Sequence, residues 1–422
     1  MSPAVRRVPA AVLCVAAALA AAFAASAASA ASAASARSAP SPPKLNASAA
    51  ILVDPGTRQE LYGVKPTCEL AIASATKLMT ALLVLEHVHH LDTMFIQNDF
   101  YPSAVDSQIG LVPGERMSVR DLLEALMLPS ADDAAEDLAA NVGRGSVARF
   151  VGMMNARARE LGLRDTHYST PSGLDTPGNY STAADLVKLA GYDLSHSAYF
   201  ARIVALRSAV LRTGNHVRFV TNRNTLVGRF PWIDGVKTGH THDAGYVLVA
   251  SGHRSGMSLI SAVLGTASEQ ARDTDSLALL DYGFAEFRQF SPVAAGEVLA
   301  RPSVRYGTGQ SVPVIASRTF TRVLPRRTRL RIRVEVPRQL TGPLARHAGV
   351  GTAIVLAGER PIARIPLLLA RTLPAVSGLT IASQFITRRP AIVLAVLVAI
   401  AATLGFLVHR RRRSSAGTLE AA

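Results

Sequence analysis

Lysine is the scarcest charged residue in this chain of 422: Lys44, Lys65, Lys77, Lys188 and Lys237 are all there is, against 40 arginines. Cysteine is scarcer still, with Cys14 and Cys68 alone. One of them lies in an alanine-rich N-terminal stretch, so a chain trimmed of that stretch keeps one cysteine and no internal disulfide; its fold must rest on a core. His-Glu-x-x-His is absent, which removes the commonest zinc-hydrolase arrangement. Gly-x-Ser-x-Gly is absent too, which removes the strand–turn–helix elbow of Ser-His-Asp hydrolases. From Val293 to Arg371 there is neither lysine nor aspartate, while arginine is frequent.

Hydrophobic residues make up 49% of the chain but are unevenly spread. Arg6 and Arg7 precede the apolar run Ala10–Ala25, and Ala-Ser-Ala repeats follow as far as Ala36, the pattern of a secretory leader over 1–36. An uncleaved anchor is the alternative. Ala391–Val408 is an uncharged run of 18 residues, preceded by Arg388, Arg389 and Pro390 and followed by His409 and Arg410–Arg413. That is the length of a short transmembrane helix, and the arginines after it fit a cytoplasmic tail. The expected topology is a body outside the membrane, one span over 390–409 and a basic tail over 410–422. A net charge of +15 then points to wall polymer or lipid headgroups rather than nucleic acid.

Residues 37–45 read as a proline-rich linker. Alternation after it predicts a hairpin, with a strand to Val53, a turn at Asp54-Pro55-Gly56 and a second strand through Leu61 and Tyr62. Helical periodicity dominates much of 74–205, broken at Val112-Pro113-Gly114 and Pro171-Ser172-Gly173. Strand-like runs return at Tyr246–Ala250 and Ser258–Leu264, and a helix over Ser268–Tyr282 closes a first domain, 46–290. Residues 293–371 read as a small β domain in which Arg329–Val336 alternates as a half-exposed strand. Its arginine stripe suits an anionic polymer or lipid, or is simply a solvated face. Residues 372–389 link it to the span.

Where arginine is the rule, a lysine invites a reason. Arginine does not lose its proton in a protein; lysine does when buried or placed beside another cation. Ser74 and Lys77 stand three apart in IASATKLMTALLVLE, an almost wholly apolar stretch. On one helix they share a face, so the amine can act as base for the serine hydroxyl while the apolar run desolvates it. Ser-x-x-Lys alone is a weak pattern. Two further elements strengthen it: Ser130-Ala131-Asp132 and Lys237-Thr238-Gly239. Ser130 also reads as a helix N-cap, with Asp132 and Asp133 in the first turn.

Taken in order and spacing, Ser74-Ala75-Thr76-Lys77, Ser130-Ala131-Asp132 and Lys237-Thr238-Gly239 resemble the three motifs of penicillin-recognising serine enzymes. The stretches LMLPSADDAAEDLA, FVGMMNARARELGLRDTHYSTPSGLD and DGVKTGHTHDAGYVLVAS are similar to the low-molecular-mass D-alanyl-D-alanine carboxypeptidases, over about 46–290. The resemblance implies an α/β (α+β) transpeptidase/β-lactamase-like domain, followed by a small all-β domain and a C-terminal membrane helix. It implies Ser74 as nucleophile, Lys77 as its base and Ser130 as proton relay with Lys237. The backbone of Ser74 and His240 would form the oxyanion hole, next to Gly239. Thr238 and Arg272 would meet the substrate's terminal carboxylate. No cofactor or metal is implied; peptidoglycan stem peptides would be the substrate and β-lactams the acylating inhibitors.

The chain departs from that family at Asp132, where asparagine is usual; a carboxylate beside Lys77 favours the ammonium and works against a base. A class A β-lactamase also needs a deacylating glutamate. Between Ser130 and Lys237 only Glu136 and Glu160 occur, both at helical positions, so rapid penicillin hydrolysis is not expected. Endopeptidase action on cross-links and a non-catalytic wall-binding protein remain the alternatives. Two histidine-rich runs, Glu86–His90 and His240–Asp243, lack the spacing of a metal site.

Overall fold

The computed structural model describes residues 41–97, 107–306 and 310–416, so the leader expected over 1–36 lies outside the described residues. The chain divides into two compact units, the first ending at Arg288 and the second beginning at Gln289.

The first unit is built on a five-stranded antiparallel sheet in the order β2-β1-β9-β8-β7. Its strands are β1 (Ala49–Asp54), β2 (Gln59–Val64), β7 (Ile233–Thr241), β8 (Gly245–Arg254) and β9 (Met257–Thr266). The Asp54 carboxylate closes the first hairpin by accepting from the N–H groups of Gly56 and Thr57, both at 3.2 Å. Two short hairpins lie outside the sheet: β3 (Met94–Ile96) with β4 (Arg116–Ser118), and β5 (Ser208–Leu211) with β6 (Arg218–Thr221).

Successive strand residues point to opposite faces, and each face here meets a helix. Leu259 points to α7 (Glu269–Glu286), where a Cβ on Gly283 would lie 2.5 Å from its side chain and push the leucine aside. Ile260 points to α5 (Ala183–His196), opposite Gly191. The other helices are α1 (Lys77–His87), α2 (Val119–Met127), α3 (Asp132–Val142), α4 (Val147–Leu161) and α6 (Ala198–Val204). α1 packs against α2, α3, α4 and α5, and every residue from Lys77 to Val84 is buried. Serine or threonine caps the start of five helices, with Ser118, Ser146, Thr182, Ser197 and Ser268 each accepting a backbone N–H. Each such cap is worth about 1 kcal/mol.

The second unit is rich in strand. β10 (Phe287–Val293) pairs with β14 (Phe320–Pro325), and β12 (Ser303–Val304) runs parallel to β16 (Gln339–Leu340). The main sheet has the order β11-β13-β18-β17-β15, from Val298–Ala300, Val314–Ala316, Arg360–Leu369, Gly349–Ala357 and Leu330–Glu335. Val314, Ala353, Val355, Ile365 and Leu367 form its core. β15, expected to be half-exposed, is an edge strand with every residue from Arg331 to Glu335 exposed. An edge position leaves neither face fully covered, and its arginines are what keeps an open edge soluble. α8 (Gly378–Arg388) occupies the expected linker, and α9 (Pro390–Ala416) follows. Pro390–His409 is long and apolar enough to cross a membrane, and none of that window is buried among the described residues.

Candidate active site

Ser74 and Lys77 were expected on one helix. The structure instead puts Ser74 in a 3-10 turn, Ala73–Thr76, that runs directly into α1 at Lys77. The tighter turn serves the pairing better, because side chains three apart eclipse one another on a 3-10 helix. Lys77 Nζ donates to Ser74 Oγ at 2.9 Å. Ala73, just before the serine, has φ +47°, a left-handed conformation that costs a non-glycine residue about 1 kcal/mol or more. The loop that holds it there is Pro171-Ser172-Gly173. A Cβ on Gly173 would stand 2.0 Å from the Ala73 carbonyl oxygen, so only glycine permits this contact. The loop is tied down by Thr80 Oγ1, which donates to the Pro171 carbonyl at 2.6 Å.

Lys77 is fully buried and its amine meets three acceptors: Ser74 Oγ, Asp132 Oδ1 at 2.6 Å and the Ser172 carbonyl at 2.7 Å. Burial pushes its pKa below the ordinary lysine value. Asp132 and Glu136 pull it back up, and Arg223 lowers it again. Asp132 is held from behind by the Ser107 N–H at 3.1 Å. Asp133 turns the other way and accepts from the N–H groups of Ile109, Gly110 and Leu111, so its carboxylate serves the loop, not the lysine.

Ser130 is not the N-cap of α3. Ala131 occupies that position, while Ser130 adopts φ +68° and its hydroxyl accepts from Lys237 Nζ at 2.9 Å. The hydroxyl is spent on a side chain across the cleft instead of on the helix end. Lys237, 1% exposed, also donates to the Thr238 carbonyl at 2.9 Å. Burial, then the charges of Lys77 and Arg223, hold its pKa well below the ordinary value. Two serine–lysine pairs thus line one cleft between the helices and strand β7.

β7 is an edge strand of the sheet, and an edge is where an extended chain can pair. Gly239 is what lets it pass the serine: a Cβ there would stand 3.0 Å from the Ile72 carbonyl and 3.1 Å from Ser74 N. Thr238 is buried beside it, and His240 is exposed, its ring stacked on Tyr246 with centroids 4.0 Å apart. Arg272 sits in the first turn of α7, 3% exposed, with its guanidinium donating to Asp273 Oδ1 and to Glu269 Oε1 at 2.8 Å. Its charge reaches Lys237 but is already shared by two carboxylates.

Sequence reasoning missed Arg223, an exposed arginine whose charge acts on both lysines. It lies 14 positions before Lys237, in a loop with no motif to mark it. Ser172 was read only as part of a turn, and its carbonyl could not be foreseen as a ligand of the base.

A family model described as D-alanyl-D-alanine carboxypeptidase matches residues 36–268, and one described as penicillin-binding protein 5, C-terminal domain, matches 287–375. The D-alanyl-D-alanine carboxypeptidase DacD of Salmonella typhimurium is 32% identical over 340 residues, covering 78% of this chain and 86% of that protein. The carboxypeptidase DacF of Bacillus subtilis is 28% identical over 330 residues, 76% of this chain and 84% of its own. Among solved structures, penicillin binding protein 5 from Haemophilus influenzae matches with a TM-score of 0.65 and 29% identity, over 79% of this chain and 99% of that one. The Streptomyces K15 DD-transpeptidase matches with a TM-score of 0.56 and 33% identity, over 58% of this chain and 99% of its own.

Proposed function

The chain belongs to the D-alanyl-D-alanine carboxypeptidase family, and from that membership we propose that it removes the terminal D-alanine from peptidoglycan stem peptides through a serine acyl-enzyme. The observation that carries the reading is the buried Lys77 amine, its pKa lowered by burial, 2.9 Å from Ser74 Oγ. A neutral amine at that distance takes the serine proton as the hydroxyl oxygen bonds to the peptide carbonyl carbon. The negative charge that develops on the carbonyl oxygen falls between the start of α1 and β7, where the Ser74 and His240 N–H groups serve as donors. The C–N bond then breaks as the Ser130 hydroxyl passes a proton to the departing nitrogen and is resupplied across the lysines. Water releases the shortened peptide from Ser74.

The leaving D-alanine carries a carboxylate, and the cleft meets it with positive charge. Arg223 and Arg272 supply that charge, Lys237 supplies N–H donors, and Thr238 supplies a hydroxyl. A β-lactam presents a comparable carboxylate and acylates the same serine. Placed on the extracytoplasmic face, with the span at 390–409 and Arg410–Arg413 inside, the site faces its polymer substrate.

The test is a penicilloyl adduct. Incubating the full-length protein with penicillin and digesting it should give one peptide of increased mass, the one containing Ser74, and Ser74→Ala should abolish it. An adduct on any other residue contradicts the assignment of the nucleophile.

A further inference from the structure

α3 opens with three acids, Asp132, Asp133 and Glu136. The first pairs with Lys77 and the second holds the 109–111 backbone. Glu136 lies one turn beyond Asp132 and therefore on the same helix face. It does not bind the lysine directly. Its Oε1 accepts from Ser172 Oγ at 3.2 Å, while the carbonyl of that same Ser172 accepts from Lys77 Nζ at 2.7 Å. Glu136 thus grips by the side chain the residue that grips the base by its backbone.

The surroundings make this grip consequential. Ser172 is 1% exposed, and its neighbours are fixed independently: Pro171 by Thr80, and Gly173 by its N–H donating to Thr170 Oγ1 at 2.9 Å. The Gly173 N–H and the Ser172 carbonyl share one planar peptide unit, which Thr170 holds at one end and Lys77 at the other, while Glu136 holds the side chain of the residue on which that unit pivots. The charged groups acting on Lys77 are Asp132, Glu136, Arg223 and, since the Coulomb interaction is mutual, Lys237; those acting on Glu136 are Lys77 and Asp132. Burial pushes the Glu136 carboxyl up to about 7, where it changes charge under working conditions.

Building on the acyl-enzyme reading above, we propose that Glu136 is a positioning residue: through the Ser172 hydroxyl it aims the Ser172 carbonyl at the Lys77 amine, and its charge adjusts how readily Lys77 releases a proton. The sign follows from electrostatics. A carboxylate at 136 stabilises the ammonium, so Lys77 becomes a base at higher pH than it would beside a neutral residue.

Two measurements on the full-length protein in detergent test the proposal. In the first, lysines carry 13C at Cε. With only five in the chain the spectrum is sparse, and Lys77→Arg assigns the Lys77 signal. Glu136→Gln should lower the Lys77 midpoint by about half a unit to one unit, less than for a directly bonded partner. An unmoved midpoint overturns the electrostatic half. In the second, the pH-independent rate of Ser74 acylation by fluorescent penicillin is compared across variants. Glu136→Ala should lose about 10-fold, and Glu136→Gln, whose amide oxygen still accepts from Ser172, should regain most of that loss. In a Ser172→Ala background the Gln and Ala variants should be equal. Equal rates for Glu136→Gln and Glu136→Ala with Ser172 intact overturn the positioning half. Because the lysine titration needs no substrate, failure of the D-alanine reading and failure of this inference are separate results.

Discussion

Replacing Asp132 by asparagine keeps the shape of the side chain and removes the charge that most opposes Lys77 as a base. Nζ and Oδ1 are 2.6 Å apart, with side-chain exposures of 0% and 5%. Opposite unit charges about 4 Å apart at an effective dielectric near 20 attract by about 4 kcal/mol, equivalent to about 3 pK units. Asp132 also accepts from the Ser107 N–H, which spreads its charge, so a shift of about 1–3 units is expected. Lys77 is already lowered by burial despite Asp132. Removing the carboxylate lowers it further, and the free amine prevails at lower pH. The acidic limb of kcat/KM for D-alanine release should therefore move down by about 1–3 units. The assay is release of D-alanine from a peptide ending in D-Ala-D-Ala between pH 4 and 10, for wild type and Asp132→Asn, with thermal melts to confirm that both are folded. A limb that stays in place, or moves up, would refute the coupling between the two residues.

Arg223→Ala should act in the opposite sense. Both lysines lose a like-charged neighbour, so the acidic limb moves up, and KM for a carboxylate-ended peptide rises more than kcat falls. A KM that does not change would remove Arg223 from the binding of the substrate. Gly173→Ala places a Cβ 2.0 Å from the Ala73 carbonyl at φ +89° and should cut penicillin acylation of Ser74 by about 100-fold. Normal acylation would mean that the loop does not set the serine. Asp193, on α5, is buried with neither carboxylate oxygen hydrogen-bonded among the described residues, and burial raises its pKa well above the usual range. The unfolded chain ionises it near pH 4, so the folded state loses stability as pH climbs from there toward the raised value. Asp193→Leu should therefore stabilise by about 1–3 kcal/mol at pH 8 and by less at pH 4 in urea titrations; an equal effect at both would refute the assignment.

Much of the architecture could be read from local pattern. The first hairpin announced itself by alternation and Asp-Pro-Gly, and β8 and β9 by apolar runs long enough to show a period. The three-residue strands β3 and β4 could not, because three residues hold too little of a two-residue alternation to show that it repeats. β7 was marked by its chemistry, Lys-Thr-Gly, before it was marked as a strand. Two errors have a common cause. Ser74 sits on a 3-10 turn and Ser130 at positive φ because each is held by a tertiary contact: Gly173 pressing on Ala73, and Lys237 drawing off the hydroxyl. Local propensity is silent about such contacts, and sites are where they override it. The scarcity of lysine pointed to Lys77 and Lys237, since a residue that can lose its proton stands out in an arginine-rich chain. Arg223 stayed hidden because one more arginine among forty carries no signal.

The central claim is that Ser74, activated by Lys77, breaks the D-Ala–D-Ala bond. It is tested most directly by incubating the detergent-solubilised full-length protein and its Ser74→Ala variant with a synthetic D-Ala-D-Ala peptide and measuring free D-alanine. The account predicts release by the wild type, blocked by prior treatment with penicillin and absent from the variant. Release by Ser74→Ala, or none by a wild-type protein that penicillin still acylates at Ser74, would contradict it.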